Sequence, residues 1–406
     1  MMPPNIQSSG FPLVFRVPDG LIDTPPIDNI NGAPSALRIY VRALEGMQKE
    51  AVVAMATPAG QHTWRMVCDE GPYLNGTDLA PFPLAFFTAG TQFALMSEIL
   101  QWARVKKVSL KSLTLIQDNY YTMDGSALQG TMIGGAKSPE VMLQIESSAS
   151  PKAVADIIRL AEQSSPAHAL FQNTLANRFA LTSNEDPLDT GDIQTWEDPV
   201  NHDVSAIFES VQPDKNVTLQ ADIISRLSAA DIIQGVEGGA GSSLQAEQKR
   251  TLHVHGEAKW TSGMSMQTTI QLLKPLGSVF RFVCDEVKES GGHEAAPPPL
   301  AYLSAGVGFC FMTQVGRYAQ ITRQSMHTYQ IIQENLVVHQ GHFADGTRTA
   351  QALPMDTHLL IEADELDEVA QKTLWMSERT CFLHAAMRGS VPVLVQATLN
   401  NQPLEW

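Results

Sequence analysis

The 406-residue sequence has only four cysteines, and its 27 lysines and arginines are outnumbered by 43 aspartates and glutamates. No two cysteines form a CxxC pair or have zinc-site spacing, which excludes a disulfide framework and a standard structural zinc site. The net charge of −16 disfavours nucleic acid and anionic membrane surfaces as partners, because both require clustered cations. No apolar run approaches the length of a membrane-spanning helix. GxGxxG, Walker A, HExxH and GxSxG motifs are also absent.

These absences predict an acidic globular protein with free thiols. The first residues contain no basic cluster followed by an apolar stretch, so we expect no secretory signal and a cytoplasmic location. We also expect no metal and no bound cofactor.

What the sequence does contain is a long internal repeat. Residues 65–70 (Arg-Met-Val-Cys-Asp-Glu) recur as residues 281–286 (Arg-Phe-Val-Cys-Asp-Glu), and His168 recurs with the same offset as His384. A repeat of this length predicts two domains of one kind. We therefore divide the chain into an N-terminal arm (1–35), a first unit (36–182), an acidic linker or insertion (183–249) and a second unit (250–406).

Each unit has the pattern of an α+β domain. In the first unit, strand-like segments at 37–43, 51–56 and 63–68 precede a long apolar helix at 84–105, further strands at 109–120, 126–133 and 141–146, and a helix capped by Ser150. The second unit repeats this order, with helices at 297–321 and 364–378 and a closing strand at 391–399. Between the units, residues 219–227 have a helical pattern, and the glycine-rich composition of residues 235–243 predicts a flexible linker. The arm reads as extended chain that wraps a neighbouring surface.

The two units differ in their cysteines. Cys310 corresponds to Ala94, and Cys381 corresponds to Ser165. Only the second unit therefore carries a thiol pair, whereas Cys68 and Cys284 occur at equivalent positions of the two units.

Three segments of the second unit resemble the OsmC/Ohr family of organic hydroperoxide reductases and their relatives. They are Cys284-Asp-Glu before the glycine loop at 291–292, the helix segment from 297 to Cys310 with its proline start, and Glu378-Arg-Thr-Cys381-Phe-Leu-His384. Both units fit the family pattern, so the resemblance covers most of the chain outside the arm and the linker.

The resemblance implies a fold and a chemistry. Family members are dimers in which two central helices pack between wrapped sheets, so two fused units imply a pseudo-dimer in one chain. By the same resemblance, Cys310 is the peroxidatic thiol, Cys381 is the resolving thiol, and an external thiol or dithiol reductant restores the pair. The partners implied are a small hydrophobic substrate and this reductant, with a higher oligomer left open.

In the family, a glutamate ten residues before the reactive cysteine holds an arginine against the thiolate, and Leu300 stands at that position here. Another arginine must then activate Cys310, and Arg281 and Arg65 are the sequence candidates, or Cys310 is a buried core residue. We assign the catalytic site to Cys310, Cys381, His384, Glu286 and Arg281. Residues for substrate binding or a second site are Cys68, Glu70, His168, Cys284 and Phe309.

The sequence is compatible with three functions. The first is thiol-dependent reduction of organic hydroperoxides. The second is a non-redox hydrolase, lyase or isomerase that uses cysteine, glutamate and histidine as nucleophile, acid or base in an apolar pocket. The third is a protein that binds a hydrophobic small molecule between the central helices without turnover.

Overall fold

A computed structural model describes residues 4–27, 30–219, 222–230 and 248–406, and these residues form an α+β fold. Its helices are α1 (Ile6–Ser9), α2 (Pro83–Val105), α3 (Pro151–Ser164), α4 (Pro166–Gln172), α5 (Val204–Ser210), α6 (Pro299–Thr322), α7 (Asp367–Thr380) and α8 (Phe382–Gly389). None of the helices in these ranges is both long enough and apolar enough to cross a membrane.

The strands of the first half of the chain are β1 (Val14–Val17), β2 (Ala33–Ala43), β3 (Lys49–Thr57), β4 (Gly60–Cys68), β5 (Leu110–Gly125), β6 (Ile133–Ala136), β7 (Glu140–Ser147), β8 (Asn177–Ser183) and β9 (Asp186–Leu188). Those of the second half are β10 (Ile224–Ser228), β11 (Gln248–Ser262), β12 (Ser265–Lys274), β13 (Val279–Asp285), β14 (Met326–Gln340), β15 (Thr349–Ala352), β16 (Met355–Ala363), β17 (Leu394–Leu399) and β18 (Gln402–Leu404).

These strands form two nine-stranded sheets, and each sheet contains strands from both halves of the chain. One has the order β1-β4-β3-β2-β14-β16-β8-β9, with β15 on β14, and the other has the order β10-β13-β12-β11-β5-β7-β17-β18, with β6 on β5. The halves meet at four pairings: two long antiparallel ones, β2 with β14 and β5 with β11, and two parallel ones, β16 with β8 and β17 with β7. Neither half of the sequence therefore completes a sheet alone.

The elements of the second half follow those of the first with the same offset as the sequence repeat. Helices α2 and α6 begin at Pro83 and Pro299, helices α3 and α7 at Pro151 and Asp367, and β9 and β18 at Asp186 and Gln402. Proline suits the first turn of a helix because the N–H it lacks has no partner there.

Helices α2 and α6 are buried along almost their whole length, as their all-round apolar composition predicts, and they pack against each other. The closest approach is at two glycines. A Cβ atom on Gly90 would lie 2.4 Å from the backbone nitrogen of Leu303, and one on Gly306 would lie 2.5 Å from that of Phe87. Only glycine allows the two helices to cross at this distance.

The segments outside the repeat differ from expectation in part. Residues 224–228, which overlap the segment predicted to be helical, form β10 and pair with β13, while the helix of this region is α5. Burial of Ile224 against the sheet outweighs the weak helical pattern. The predicted arm contains α1 and the edge strand β1, which pairs with β4. The predicted glycine-rich linker at 235–243 lies outside the described residues.

Arg65 and Arg281 occupy equivalent strand positions but have different partners, which leads to a stability prediction. Arg65 is almost fully buried, and its Nε donates to Glu50 Oε1 at 2.6 Å. Arg281 is only partly buried, and its Nη2 donates to the carbonyl oxygen of Asp222 at 3.3 Å. We expect Arg65→Met to lower the free energy of unfolding by about 3 kcal/mol, because Glu50 stays buried with one guanidinium partner fewer.

The control for this prediction is Arg281→Met, for which we expect a loss below about 1 kcal/mol. Chemical denaturation followed by tryptophan fluorescence measures both changes. Equal losses for the two variants would contradict the assignment of a structural role to the buried Arg65–Glu50 pair.

Candidate active site

The thiols of Cys310 and Cys381 lie next to each other. Cys310 is on the buried stretch of α6, and Cys381 is the single residue between α7 and α8, with φ −70° and ψ 115°. Its extended backbone breaks the helix, so that the side chain points at α6 instead of continuing along α7. The Cys381 Sγ donates a hydrogen bond to the Cys310 Sγ at 3.6 Å. A change of side-chain torsion can bring two sulfurs at this distance to bonding distance.

The surroundings of Cys381 keep its thiol protonated. Burial and the hydrogen bond to Cys310 raise the pKa of Cys381 well above its usual range. The N–H groups of His384 and Leu383, at the start of α8, offset this shift in part. Cys381 is therefore a protonated thiol, and it lies in hydrogen-bond contact with the Cys310 sulfur.

The two acidic residues of the Cys-Asp-Glu motif have different roles. Asp69 accepts hydrogen bonds from the N–H groups of Glu70, Thr77 and Leu79, and so fixes the loop after β4. The loop closes tightly, because a Cβ atom on Gly76 would lie 1.8 Å from the Glu70 carbonyl oxygen. The Glu70 side chain is thereby held in the interior.

Asp285 has the same role in the second half, where it accepts from the N–H groups of His293 and Ala295. Gly292 again leaves no room for a Cβ atom, which would lie 1.8 Å from the carbonyl oxygen of Glu286. Closure of the loop thus accounts for the aspartate and the glycine of the repeat. Only the glutamate is available for chemistry.

Glu70 faces the cavity beside Cys310, although it belongs to the other half of the chain. Thr313 Oγ1 donates to Glu70 Oε1 at 3.1 Å, and the Tyr73 hydroxyl donates to Oε2 at 2.9 Å. Burial raises the pKa of the Glu70 carboxyl. The positive charge of Lys49 opposes that shift most, and that of Arg317, which lines this cavity, opposes it to a smaller extent.

Two arginines line the same cavity, and neither was identified from the sequence. Burial lowers the pKa of Arg317, an effect that Glu70 and Tyr73 partly reverse. Burial and the neighbouring charge of Arg317 lower the pKa of Arg250 to about 9. The cavity has a volume of about 30 Å³, room for one or two water molecules, and apolar side chains complete its wall: Leu74, Phe82, Leu84, Leu252, Leu272 and Phe382.

The sequence contained a signal for one of these arginines. Cys310, Thr313, Gln314 and Arg317 have the i, i+3, i+4, i+7 spacing of one helix face, and all four line the cavity. Arg250 had no such signal, because it lies at the predicted boundary between linker and second unit.

The structure places Glu286 and Arg281 away from Cys310. The Glu286 carboxylate lies in a second cavity beside Ala94, where it accepts from Ser97 Oγ at 2.5 Å. Arg281 is held at the carbonyl of Asp222, and Arg65 pairs with Glu50, so neither lines the Cys310 cavity. The reason is that β2, β3 and β4 of the first half pack against α6, which brings the loop after β4, and not the loop after β13, to the face of α6 that carries Cys310.

The other sequence-predicted residues are buried among apolar groups. Cys68 and Cys284 are fully buried, and burial raises the pKa of both thiols well above the usual range. Phe309 packs edge-to-face on Phe86, with ring centroids 5.1 Å apart. The cavity of about 30 Å³ beside Cys310 is lined by neither of these thiols, and Phe309 is not part of its wall either.

The two repeated histidines are neutral core residues. Burial lowers the pKa of His168 to about 4 and that of His384 to about 3, and the ring nitrogens of both lack hydrogen-bond partners among the described residues. The His384 ring lies between Phe179 and Phe311, with centroid distances of 5.3 Å to each. Such an environment suits a packing role better than proton transfer at neutral pH.

One group of potential metal ligands is found elsewhere. Ligand atoms of His62, Glu289 and Glu294 lie within 4.8 Å of one another. The Arg16 guanidinium, however, lies 3.0 Å from His62 Nδ1, and burial together with this charge lowers the pKa of that imidazole. A cation at this position disfavours a bound metal ion, and we assign no metal to the cluster.

Comparison with known proteins gives a family match for part of the chain. Residues 291–396 match the family model described as OsmC-like protein, and this stretch contains Cys310, Cys381 and His384. Among solved structures, an OsmC-like hydroperoxide resistance protein from Jannaschia sp. CCS1 is similar to this chain at 17% identity, over 38% of this chain and 97% of its own, with a TM-score of 0.26. No curated protein matches the sequence.

Proposed function

We propose that this protein reduces organic hydroperoxides, with Cys310 as the peroxidatic thiol, Cys381 as the resolving thiol and an external dithiol as the reductant. The single observation that carries the proposal is the hydrogen bond of 3.6 Å between the two sulfurs. A resolving step needs the second thiol within reach of the first, and this distance meets the requirement.

The groups around Cys310 support its activation. Arg317 and Arg250 line its cavity, and a positive charge near a thiol favours the thiolate. Glu70 lies within electrostatic reach of Arg317 and is itself fixed by Thr313 and Tyr73. Glu70 thus takes over, from the other half of the chain, the place of the activating glutamate that Leu300 replaces.

The reaction proceeds in three balanced steps. The Cys310 thiolate attacks one peroxide oxygen, so that an S–O bond forms and the O–O bond breaks. The departing alkoxide takes up the proton that Cys310 released and leaves as the alcohol, and Cys310 becomes a sulfenic acid. The Cys381 sulfur then attacks the Cys310 sulfur, which forms the disulfide and releases water. Finally, an external dithiol reduces the disulfide by exchange and is oxidised to its own disulfide.

We further propose that the chain is a fused pair of OsmC-like units that pack as an intrachain pseudo-dimer. Equivalent elements recur with the constant offset of the repeat, and each sheet draws strands from both halves. In this arrangement one unit supplies Cys310 and Cys381, and the other supplies Glu70. The corresponding site of the first unit has Ala94 and Ser165 and lacks the thiol pair.

The test is the fate of the four thiols after one equivalent of tert-butyl hydroperoxide. We expect a disulfide between Cys310 and Cys381, while Cys68 and Cys284 remain alkylatable after denaturation, because burial keeps both as thiols. Peptide mapping by mass spectrometry identifies the linked cysteines. Oxidation of Cys68 or Cys284 in place of the pair, or no thiol consumed, would refute the proposal.

A further inference from the structure

The cavity beside Ala94 is a large feature of the structure that the thiol chemistry does not use. Its volume is about 370 Å³, against about 30 Å³ beside Cys310. Ala94 takes the place that a cysteine has in the second half and leaves space in front of α2. Much of the wall is apolar, from Pro34, Met55, Pro166, Val287, Pro298 and Leu300. A cavity of this size and lining is suited to a small organic molecule.

The inner end of this cavity holds two carboxylates from different halves of the chain. Glu286 follows β13, and Glu98 is on α2, one turn after Ala94. Ser97 Oγ donates to Glu286 Oε1 at 2.5 Å, and Ser164 Oγ donates to Glu98 Oε2 at 2.5 Å. Both glutamates are buried in the protein, yet both line the cavity.

Among the described residues, the cavity wall offers these carboxylates a single guanidinium. Arg348 Nε lies 3.9 Å from Glu98 Oε2, beyond hydrogen-bond distance, and its guanidinium lies over the Phe343 ring, 4.4 Å from the centroid. His339 does not add a second charge, because burial and Arg348 lower its pKa to about 4. Its Nε2 donates to the carbonyl oxygen of Ser164 at 3.0 Å and lies 3.7 Å from Glu98 Oε1.

The charges in the cavity therefore do not balance when both glutamates are ionised. Two buried carboxylates face one guanidinium, and Glu289 at the mouth adds a further negative charge. A buried charge without a partner is costly, and a ligand with a positive charge removes that cost.

We propose that the cavity beside Ala94 is a second ligand site, independent of the thiol pair, that binds a small molecule with an apolar body and a protonated amine. The amine lies between the carboxylates of Glu98 and Glu286, and the apolar body contacts Met55 and Leu300. The equivalent cavity beside Cys310 does not share this function, because two arginines line it where the Ala94 cavity has uncharged residues. Arg317 corresponds to Gln101, and Arg250 corresponds to Pro34.

Binding at this site has a defined pH dependence. Burial and the nearby Glu286 raise the pKa of Glu98 to about 7, against the opposing effects of Arg348 and the hydrogen bond from Ser164. Below pH 7 Glu98 is protonated and does not attract a cation; above pH 7 it is ionised and does. Burial raises the pKa of the Glu286 carboxyl as well. The affinity for an amine therefore rises by at least about tenfold between pH 6 and pH 8, while the amine itself stays protonated. Binding at pH 7 also releases protons.

The experiment compares three probes of one shape by calorimetry on the full chain: 2-phenylethylamine, 2-phenylethanol and phenylacetate. We expect the amine to bind at pH 8 at least about tenfold more tightly than the alcohol, the range for one hydrogen bond to a charged group. Titration in two buffers of different ionisation enthalpy detects the released protons.

Isosteric variants locate the site. Glu98→Gln should reduce the pH dependence to the part that comes from Glu286, Glu286→Gln should weaken amine binding by about tenfold or more, and Ala94→Phe should abolish binding by filling the cavity. The matched control is Glu70→Gln, at the repeat position equivalent to Glu286, which removes a carboxylate from the other cavity and should leave amine binding unchanged. Equal binding of amine and alcohol, preferential binding of phenylacetate, or amine binding unaffected by Glu98→Gln and Glu286→Gln would each overturn the proposal.

Discussion

Replacing Cys310 by serine should lower the rate of tert-butyl hydroperoxide reduction by at least about a thousandfold, because a hydroxyl cannot supply the thiolate that attacks the peroxide. Cys381→Ser should have a different effect. The first turnover still occurs and leaves a sulfenic acid on Cys310, but no disulfide forms for the dithiol to reduce. Peroxide consumption with a dithiol measures the steady state, and labelling with a cyclic 1,3-dione detects the trapped sulfenic acid.

Cys284→Ala is the control for these substitutions. This thiol is fully buried and does not line the Cys310 cavity, so the folded variant should retain the wild-type rate. Full activity of Cys310→Ser would remove the thiol mechanism. A sulfenic acid found in Cys310→Ser but not in Cys381→Ser would reverse the roles of the two cysteines.

Gly90→Ala and Gly306→Ala should each lower the free energy of unfolding by about 3 kcal/mol, because the added methyl group meets backbone atoms of the facing helix. The distances of 2.4 Å and 2.5 Å are far below normal contact, and backbone cannot move aside as a side-chain tip can. We expect the losses of the two variants to be similar, since each glycine meets the equivalent turn of the other helix. Urea denaturation with a two-state fit gives both values.

Gly389→Ala, at the end of α8, is the matched control. The nearest atom to its added Cβ is 3.7 Å away, an ordinary contact, so the stability should change by less than about 0.5 kcal/mol. If Gly90→Ala were as stable as this control, the close crossing of α2 and α6 would be refuted.

The sequence predicts the local structure well wherever one strong signal dominates. The proline starts and all-round apolar composition of residues 83–105 and 299–322 define the central helices, and the internal repeat transfers each boundary from one half to the other. The proximity of Cys310 and Cys381 can also be predicted, because the family resemblance implies it. At residues 224–228, by contrast, a weak helical pattern was outweighed by burial of Ile224 on a sheet edge.

The assembly of the site could not be read from the sequence in the same way. Periodicity indicates that β2 and β14 are strands, but it does not tell which strand pairs with which. Glu70 and Glu286 follow the same Val-Cys-Asp sequence, so only the packing of β2–β4 on α6 and of β11–β13 on α2 decides which glutamate faces Cys310. Glu98 and Arg348, two of the charged groups of the Ala94 cavity, lie in different halves of the chain and share no motif.

The pairing of β2 with β14 also has a consequence for synthesis on the ribosome, because β14 is made long after β2. Arg38 on β2 and Glu334 on β14, joined by a hydrogen bond of 2.7 Å, are separated by 296 residues. At roughly 5 to 20 residues per second, the edge of β2 waits about 15 to 60 s for its partner strand. During that interval the edge of β2 opposite β3 is unpaired, and an open strand edge is prone to wrong pairing with another chain. Newly made copies on a crowded polysome should therefore need protection at this edge, which the finished fold no longer exposes.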